Sequence, residues 1–276
     1  MYKEHFGFSG ELFGEGLATD TAVFQSMRQK RLAANLSIAL TRRDSVAVVY
    51  GAPGTGKTTI ISHALRETTT RLALGCIVHA PQTPHELLEQ LLTEFGFTPY
   101  KNSRTERLQN WRQFLGEMSA TETRVSILVE NAQDLPTEVL KALHDLTVAD
   151  ASGSTGSNLI LTATTALDDL LTAPALTALR QRIRLQATLP PLTVEEARDY
   201  LTFRLAAVGA SYDEIFAPDA APILHAVSGG IIRVIDNVVE SALAVAAARR
   251  EATVSGQLLK RVAVRLCRSY SPVGRR

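Results

Sequence analysis

Only two cysteines, Cys76 and Cys267, occur in 276 residues, which excludes a disulfide framework and any cysteine-built metal centre. Such sparing use fits a reducing compartment, and the expectation is a cytoplasmic protein. No apolar run approaches the roughly 18 residues needed to cross a bilayer. The opening Met1-Tyr2-Lys3-Glu4-His5-Phe6 lacks the apolar stretch of a leader peptide, so no integral membrane segment is expected. Neither sign of charge is in excess: 29 Lys and Arg face 28 Asp and Glu, which gives no global warrant for a nucleic-acid or acidic partner. His5, His63, His79, His85, His144 and His225 fall at no metal-ligand spacing. Aromatic residues make up 6% of the chain, and the single tryptophan, Trp111, shares a helical stripe with Leu108 and Leu115. That places it in a core rather than on a base-stacking platform.

What the chain does have is a glycine-rich phosphate cradle. Gly51-Ala52-Pro53-Gly54-Thr55-Gly56-Lys57-Thr58 matches every fixed position of the P-loop pattern. The glycines let backbone N–H groups turn toward a β-phosphate, Lys57 adds a point charge near the β/γ oxygens, and the Thr58 hydroxyl is placed for Mg²⁺. Upstream, Ser45–Tyr50 is a short β-branched run suited to a buried parallel strand. Downstream, from Thr59, apolar residues recur at helical spacing. Residues 51–59 are therefore the expected nucleotide-binding segment.

The pattern along the chain alternates. A helix is expected over 22–41, with Phe24, Met27, Leu32, Leu36, Ile38 and Leu40 on its apolar stripe. Strands are expected at 72–78, 125–129, 159–163 and near 183–185, with helices at 84–95, 105–118 and from Pro136 to about Leu146. Alternation of this kind implies a parallel sheet with crossover helices on both faces. The Ala151–Ser157 run reads as a loop, and Pro190-Pro191 ends the alternation. Beyond it, 194–208, 218–227, 231–248 and 254–268 all read helical. The expected organisation is an N-terminal segment and leading helix (1–44), a nucleotide domain (45–190), a helical domain (191–268) and a basic tail (269–276). Lys260, Arg261, Arg265, Arg268, Arg275 and Arg276 make the last stretch basic, either as a solvated helix face or as a site for phosphates.

Hydrolysis of a triphosphate on a P-loop needs a carboxylate at a neighbouring strand end to hold Mg²⁺ through water, and many such proteins add a second carboxylate to polarise the attacking water. The run Val129-Glu130-Asn131-Ala132-Gln133-Asp134 offers Glu130 for the first task. Asn131 stands at the water-activating position, where an amide cannot take a proton at neutral pH. Either turnover is slow and the protein is a switch, or Asp134 reaches the water, or Asn131 caps the following turn.

These motifs, with the Tyr2–Phe8 opening, Gln181-Arg182-Ile183 and Ser228-Gly229-Gly230-Ile231-Ile232-Arg233, resemble the AAA+ ATPases of the ExeA/GspA-like secretion and TnsC/MuB-like transposition group. The resemblance implies an α/β P-loop domain followed by a helical lid, ATP and Mg²⁺ as ligands, and a homo-oligomeric ring or filament with ATP between subunits. It implies Arg182 as the arginine finger, with Arg180 and Arg184 as neighbours able to compete, and Arg233 as a second sensor contacting ATP in cis. Thr164 matches the polar sensor that orients water. Adenine preference rests on the resemblance. Two departures stand out: the group's Asp-Glu pair is Glu130-Asn131 here, and the proline between Gly230 and Arg233 is replaced by Ile231-Ile232. Secretion-type members carry a membrane span after the ATPase part, which this sequence does not show, and that weighs against a direct secretion role. Three functions follow as expectations: a slow ATPase or switch that remodels or recruits a protein partner, a regulator assembled on double-stranded DNA, or a pseudo-ATPase interaction module.

Overall fold

The computed structural model describes residues 2–13, 23–41, 44–68, 71–98, 103–148 and 156–270, with the side chains of 267–270 excepted. The helices begin with α1 (Tyr2–Phe6), α2 (Met27–Leu40), α3 (Lys57–Arg66), α4 (Pro84–Glu94) and α5 (Arg104–Ala120). They continue with α6 (Thr137–Thr147), α7 (Ala166–Leu171), α8 (Thr177–Arg182), α9 (Val194–Ala207), α10 (Tyr212–Ile215), α11 (Ala220–Ser228), α12 (Ile232–Arg249) and α13 (Gly256–Tyr270). The strands are β1 (Val46–Tyr50), β2 (Leu72–Ile77), β3 (Arg124–Val129), β4 (Asn158–Ala163) and β5 (Ile183–Thr188). Most of the loop read at Ala151–Ser157 and the whole 271–276 end of the basic tail lie outside the described residues.

Two compact units emerge. The α/β unit comprises Met27–Gly51 and Lys57–Leu189; the helical unit comprises Met1–Ser26, Ala52–Gly56 and Pro190–Arg276. In the α/β unit the strands form one sheet in the order β2-β3-β4-β1-β5, every pairing parallel. Val46 lies beside Leu159 and Tyr50 beside Ala163, so β1 and β4 run in step to their C-terminal ends. β1 and β4 are buried throughout, which is why their sequences read as unbroken apolar runs; β5, on the sheet edge, alternates half-buried with exposed positions. Helix starts are written in the sequence: Ser103 and Glu106, and likewise Thr193 and Glu196, close reciprocal capping boxes at α5 and α9. Trp111 is 1% exposed and donates from Nε1 to the Leu146 carbonyl at 2.8 Å, a core residue with its one polar atom satisfied.

The expected leading helix is shorter than read. Residues 23–26 are not helical, and α2 buries Gln29, Leu32, Leu36 and Leu40. Met27 and Ile38, placed on the apolar stripe from sequence, are 64% and 68% exposed. The buried positions step by three and four residues, and Ile38, two after Leu36, points off that line.

The helical unit is built on a second core that draws in the N-terminus. Phe8 and Leu12 pack with Leu201, Leu205, Val239 and Leu243, and Phe24 meets the Tyr200 ring edge-on at 5.5 Å. Ser9 N–H donates to the Val208 carbonyl, and Arg204 donates from Nε to the Leu12 carbonyl at 2.8 Å while lying over the Phe13 ring. The segment 2–13 is thus part of the helical unit's core. Leu12→Ala is expected to lower the free energy of unfolding by about 2–5 kcal/mol, measured by denaturant titration. An unchanged midpoint would mean the segment contributes nothing to that core.

Candidate functional site

The sheet order sets up the site. β4 separates β1 from β3, so the C-terminal ends of these three parallel strands line up along one edge, which carries Gly51, Thr164 and Glu130. Gly51 N–H donates to the Ala163 carbonyl and Glu130 N–H to that of Ile77, so each strand end is held by its neighbour. α3 starts at Lys57, and its N-terminal N–H groups lie directly after the loop. Lys57 is buried, and its ammonium donates to the Gly51 carbonyl at 2.9 Å. The Thr58 hydroxyl donates to Glu130 Oε1 at 2.8 Å. Thr59 is exposed in the same helical turn.

A hydroxyl and a carboxylate oxygen held together at a helix N-terminus, next to a buried ammonium, form a hard-oxygen donor set that fits Mg²⁺ and a phosphate chain. Among the described residues no cluster of three or more His, Cys, Asp or Glu offers a competing metal site.

Asn131 sits at φ 52, ψ 48, a left-handed conformation that asparagine tolerates better than most residues, and its side chain makes no capping bond to the turn that follows. Its N–H donates to Thr162 Oγ1 at 3.3 Å. Gln133, which the sequence reading gave no role, accepts the Thr164 N–H at 3.0 Å through Oε1. The β3 turn and the end of β4 are therefore stitched twice, and Gln133 fixes the backbone of the candidate sensor Thr164. Its place in the Ala132-Gln133 run was the one available signal. Tyr50, at the end of β1, donates to Asp168, and burial, with that carboxylate, pushes its phenol pKa well up.

Within the helical unit, Ala52–Gly56 and the start of α12 touch. Gly54 has φ +82, and a Cβ there would lie 2.8 Å from Arg233 Cβ and 3.2 Å from Ile231 Cγ2. Arg233 N–H donates to the Gly54 carbonyl at 3.1 Å, while its side chain is exposed. Thr55 Oγ1 closes onto the Ala52 carbonyl at 2.9 Å. A helix starts here without the proline: Ile231 is the extended N-cap and α12 begins at Ile232. Gly229 and Gly230 both have positive φ, and a Cβ on Gly230 would sit 2.1 Å from the Leu192 carbonyl oxygen. That close approach requires a glycine at 230, while Gly229, with open space around it, is favoured by its left-handed φ of +60.

Arg182 is elsewhere. It immediately precedes β5, at the N-terminal edge of the parallel sheet, while the P-loop follows the C-terminal end of β1; one five-residue strand separates them, about 17 Å at 3.3 Å per residue. Its guanidinium donates to the carbonyls of Asp44, Thr147 and Ser157 and to Thr147 Oγ1, and it faces His144 Nδ1. Burial, reinforced by Arg182, holds the His144 imidazole below its ordinary pKa. Arg180 and Arg184 are exposed.

The family model described as "AAA domain" matches residues 40–171. The α/β unit has the fold of an AAA+ P-loop domain. The chain is 30% identical over 250 residues to general secretion pathway protein A of Aeromonas hydrophila, covering 90% of this chain and 45% of that protein. The chain thus spans about half the length of that relative. The fold is shared with the ORC2 protein of Aeropyrum pernix (TM-score 0.68, 16% identity, 90% of this chain and 71% of that one). The ORC1 protein of the same organism matches at TM-score 0.66 and 19% identity, over 92% of this chain and 68% of that one. The RuvB motor of Thermotoga maritima matches at TM-score 0.52 and 19% identity, over 86% and 69%. No helix among the described residues is long and apolar enough to cross a membrane.

α12, which carries Arg233, also carries a half-buried carboxylate. Asp236 accepts from Tyr200 Oη at 2.8 Å, and its pKa is pushed up to about 6, chiefly by burial, against the Tyr200 hydrogen bond and Arg204, which act to lower it. A folded pKa above the unfolded one stabilises the protonated state. That contribution is complete below about pH 4 and is lost as pH rises through about 6. Relative to Asp236→Asn, the parent should gain up to about 3 kcal/mol of stability between pH 7 and pH 4. A pH-independent difference in unfolding free energy would contradict a carboxylate destabilised by burial.

Proposed function

We propose that this chain binds ATP with Mg²⁺ and acts as a slow, oligomeric ATPase or nucleotide-dependent switch that remodels or recruits a protein partner. The observation that carries the reading is the 2.8 Å hydrogen bond between Thr58 and Glu130, which joins the P-loop helix to the end of β3 beside buried Lys57. Thr58 and Glu130 would hold the metal, directly or through water, and the metal, when bound, neutralises charge on the β/γ-phosphates. Lys57, the loop N–H groups and the start of α3 take the remaining phosphate charge, and Arg233 projects beside Gly54 of the cradle. That the similar ORC2 structure of Aeropyrum pernix is of ADPNP–ADP complexes supports the choice of adenine nucleotide.

Turnover is proposed to be slow because the side chain at 131 is an amide. Asn131 can orient water, yet cannot take its proton, and Gln133 holds Thr164 to the same turn. Asn131→Glu, even with the strain of a left-handed glutamate, is expected to raise steady-state phosphate release at least about tenfold. Light scattering is expected to show assembly with a slowly hydrolysed ATP analogue. Neither turnover nor nucleotide-dependent assembly in the parent would overturn the reading; no gain in the variant would leave a pseudo-ATPase module.

In a homo-oligomer an arginine at the far edge of the sheet would meet a neighbour's nucleotide, not its own. Arg182 must leave its own-chain acceptors to do so, whereas Arg180 and Arg184 need no such release. Single alanine variants separate the roles: loss at the finger should cut turnover about 10³-fold or more without changing thermal stability, while Arg182→Ala should lower the melting temperature. If none of the three affects turnover, the trans assignment fails.

The similar ORC1 structure is of a protein in complex with DNA. It keeps a DNA-assembled regulator as a second reading, which assembly only in the presence of a duplex would favour.

A further inference from the structure

A groove of about 610 Å³ runs between α12 and α13 of the helical unit, and none of the residues assigned to nucleotide lines it. One wall is a stripe of α12 at four-residue spacing, Ser241, Val245 and Arg249; the other is α13, with Leu258, Arg261, Val262 and Arg265 at three- and four-residue spacing. The floor is apolar: Leu258 is 1% and Val262 7% exposed. Val264, also lining it, is 48% exposed, a large aliphatic side chain left in water. Three of the lining residues are arginines, one on α12 and two on α13, and no lining residue is acidic; Arg249 also meets Glu251 at 3.6 Å in an exposed pair that an incoming carboxylate would share.

We propose that this groove docks an acidic amphipathic helix of a partner protein. The geometry is that of a helix-in-groove site: an apolar trough between two helices, read by side chains at i, i+3, i+4 and i+7 of the incoming helix. The trough runs from Ser241 to Arg249, about 12 Å of helix axis at 1.5 Å per residue, which suits two to three turns of a ligand. Charge decides the chemistry of the occupant. Leucine-like side chains cover Val245, Val262 and Val264, while carboxylates on the flanks of the same helix pair with Arg249, Arg261 and Arg265. Duplex DNA would satisfy the guanidinium groups and leave the aliphatic floor uncovered, because phosphates carry no apolar surface to bury against it. The surface gives the switch a place to act on a partner, and it stands whether or not ATP is turned over.

The test uses the full chain and a labelled helical peptide of about 16 residues with leucine at i, i+3, i+4 and i+7 and glutamate on both flanks. Its controls are a scrambled sequence, a lysine-for-glutamate version, and a duplex of about 20 base pairs. Saturable binding of the acidic peptide in fluorescence anisotropy is expected, with hydrogen-exchange protection over 241–266. Arg249→Glu/Arg261→Glu, both exposed positions, should weaken it at least about tenfold and reverse the preference toward the lysine peptide, with thermal unfolding unchanged. Equal binding of the scrambled peptide, or binding of duplex but not peptide, would overturn the proposal. So would loss of self-association in light scattering by the same variant with peptide binding intact, which would make the groove an interface between copies of this chain.

Discussion

Everything proposed for the α/β unit depends on one constraint, the parallel in-step pairing of β1, β4 and β3. Because these strands run the same way and end within two residues of one another, the loop after β1, the threonine after β4 and the acidic run after β3 converge on one sheet edge. The apolar runs that form the strands are what enforce the register, since a slip of one residue would turn buried valines and leucines to the opposite face. Site geometry is therefore a by-product of core packing. Removing core volume far from Lys57 would be felt at Glu130 through the strand that carries it.

A different constraint governs the helical unit. Gly230 meets Leu192 so closely that no side chain fits, and Leu192 in turn donates to the Gly230 carbonyl while its own carbonyl faces His225. This backbone contact fixes where α12 begins, and with it the position of Arg233 relative to Gly54. Ile231-Ile232 in place of a proline is tolerated because the two left-handed glycines, rather than the proline ring, set the entry to the helix.

Much of this was legible in the sequence. The P-loop, the parallel sheet implied by alternation, the assignment of Thr58 and Glu130 to one Mg²⁺ and the core placement of Trp111 follow from spacing and residue type, because buried parallel strands and glycine turns leave strong local marks. What was not legible depends on long-range contacts. Phe24, Met27 and Ile38 matched a helical stripe, yet Phe24 packs on Tyr200 and the other two are exposed, since the face a helix buries is set by what it meets. Phe8 and Leu12 gave no hint of their place in the core of the helical unit. Arg182 resembles a finger by motif, and only the fold reveals the four oxygens that hold it. Gln133 was visible only as part of a recurring run, its bond to Thr164 being made across the sheet.

The central claim is that Thr58 and Glu130 act together on a metal beside a bound triphosphate. Calorimetric titration of ATP, with Mg²⁺ and with a chelator, into the parent, Thr58→Val, Glu130→Gln and the double variant tests it directly. The account predicts tighter binding with Mg²⁺ and a coupling energy of about 1 kcal/mol or more between the two substitutions that vanishes in the chelator. Affinity indifferent to Mg²⁺, or two substitutions that simply add, would contradict it.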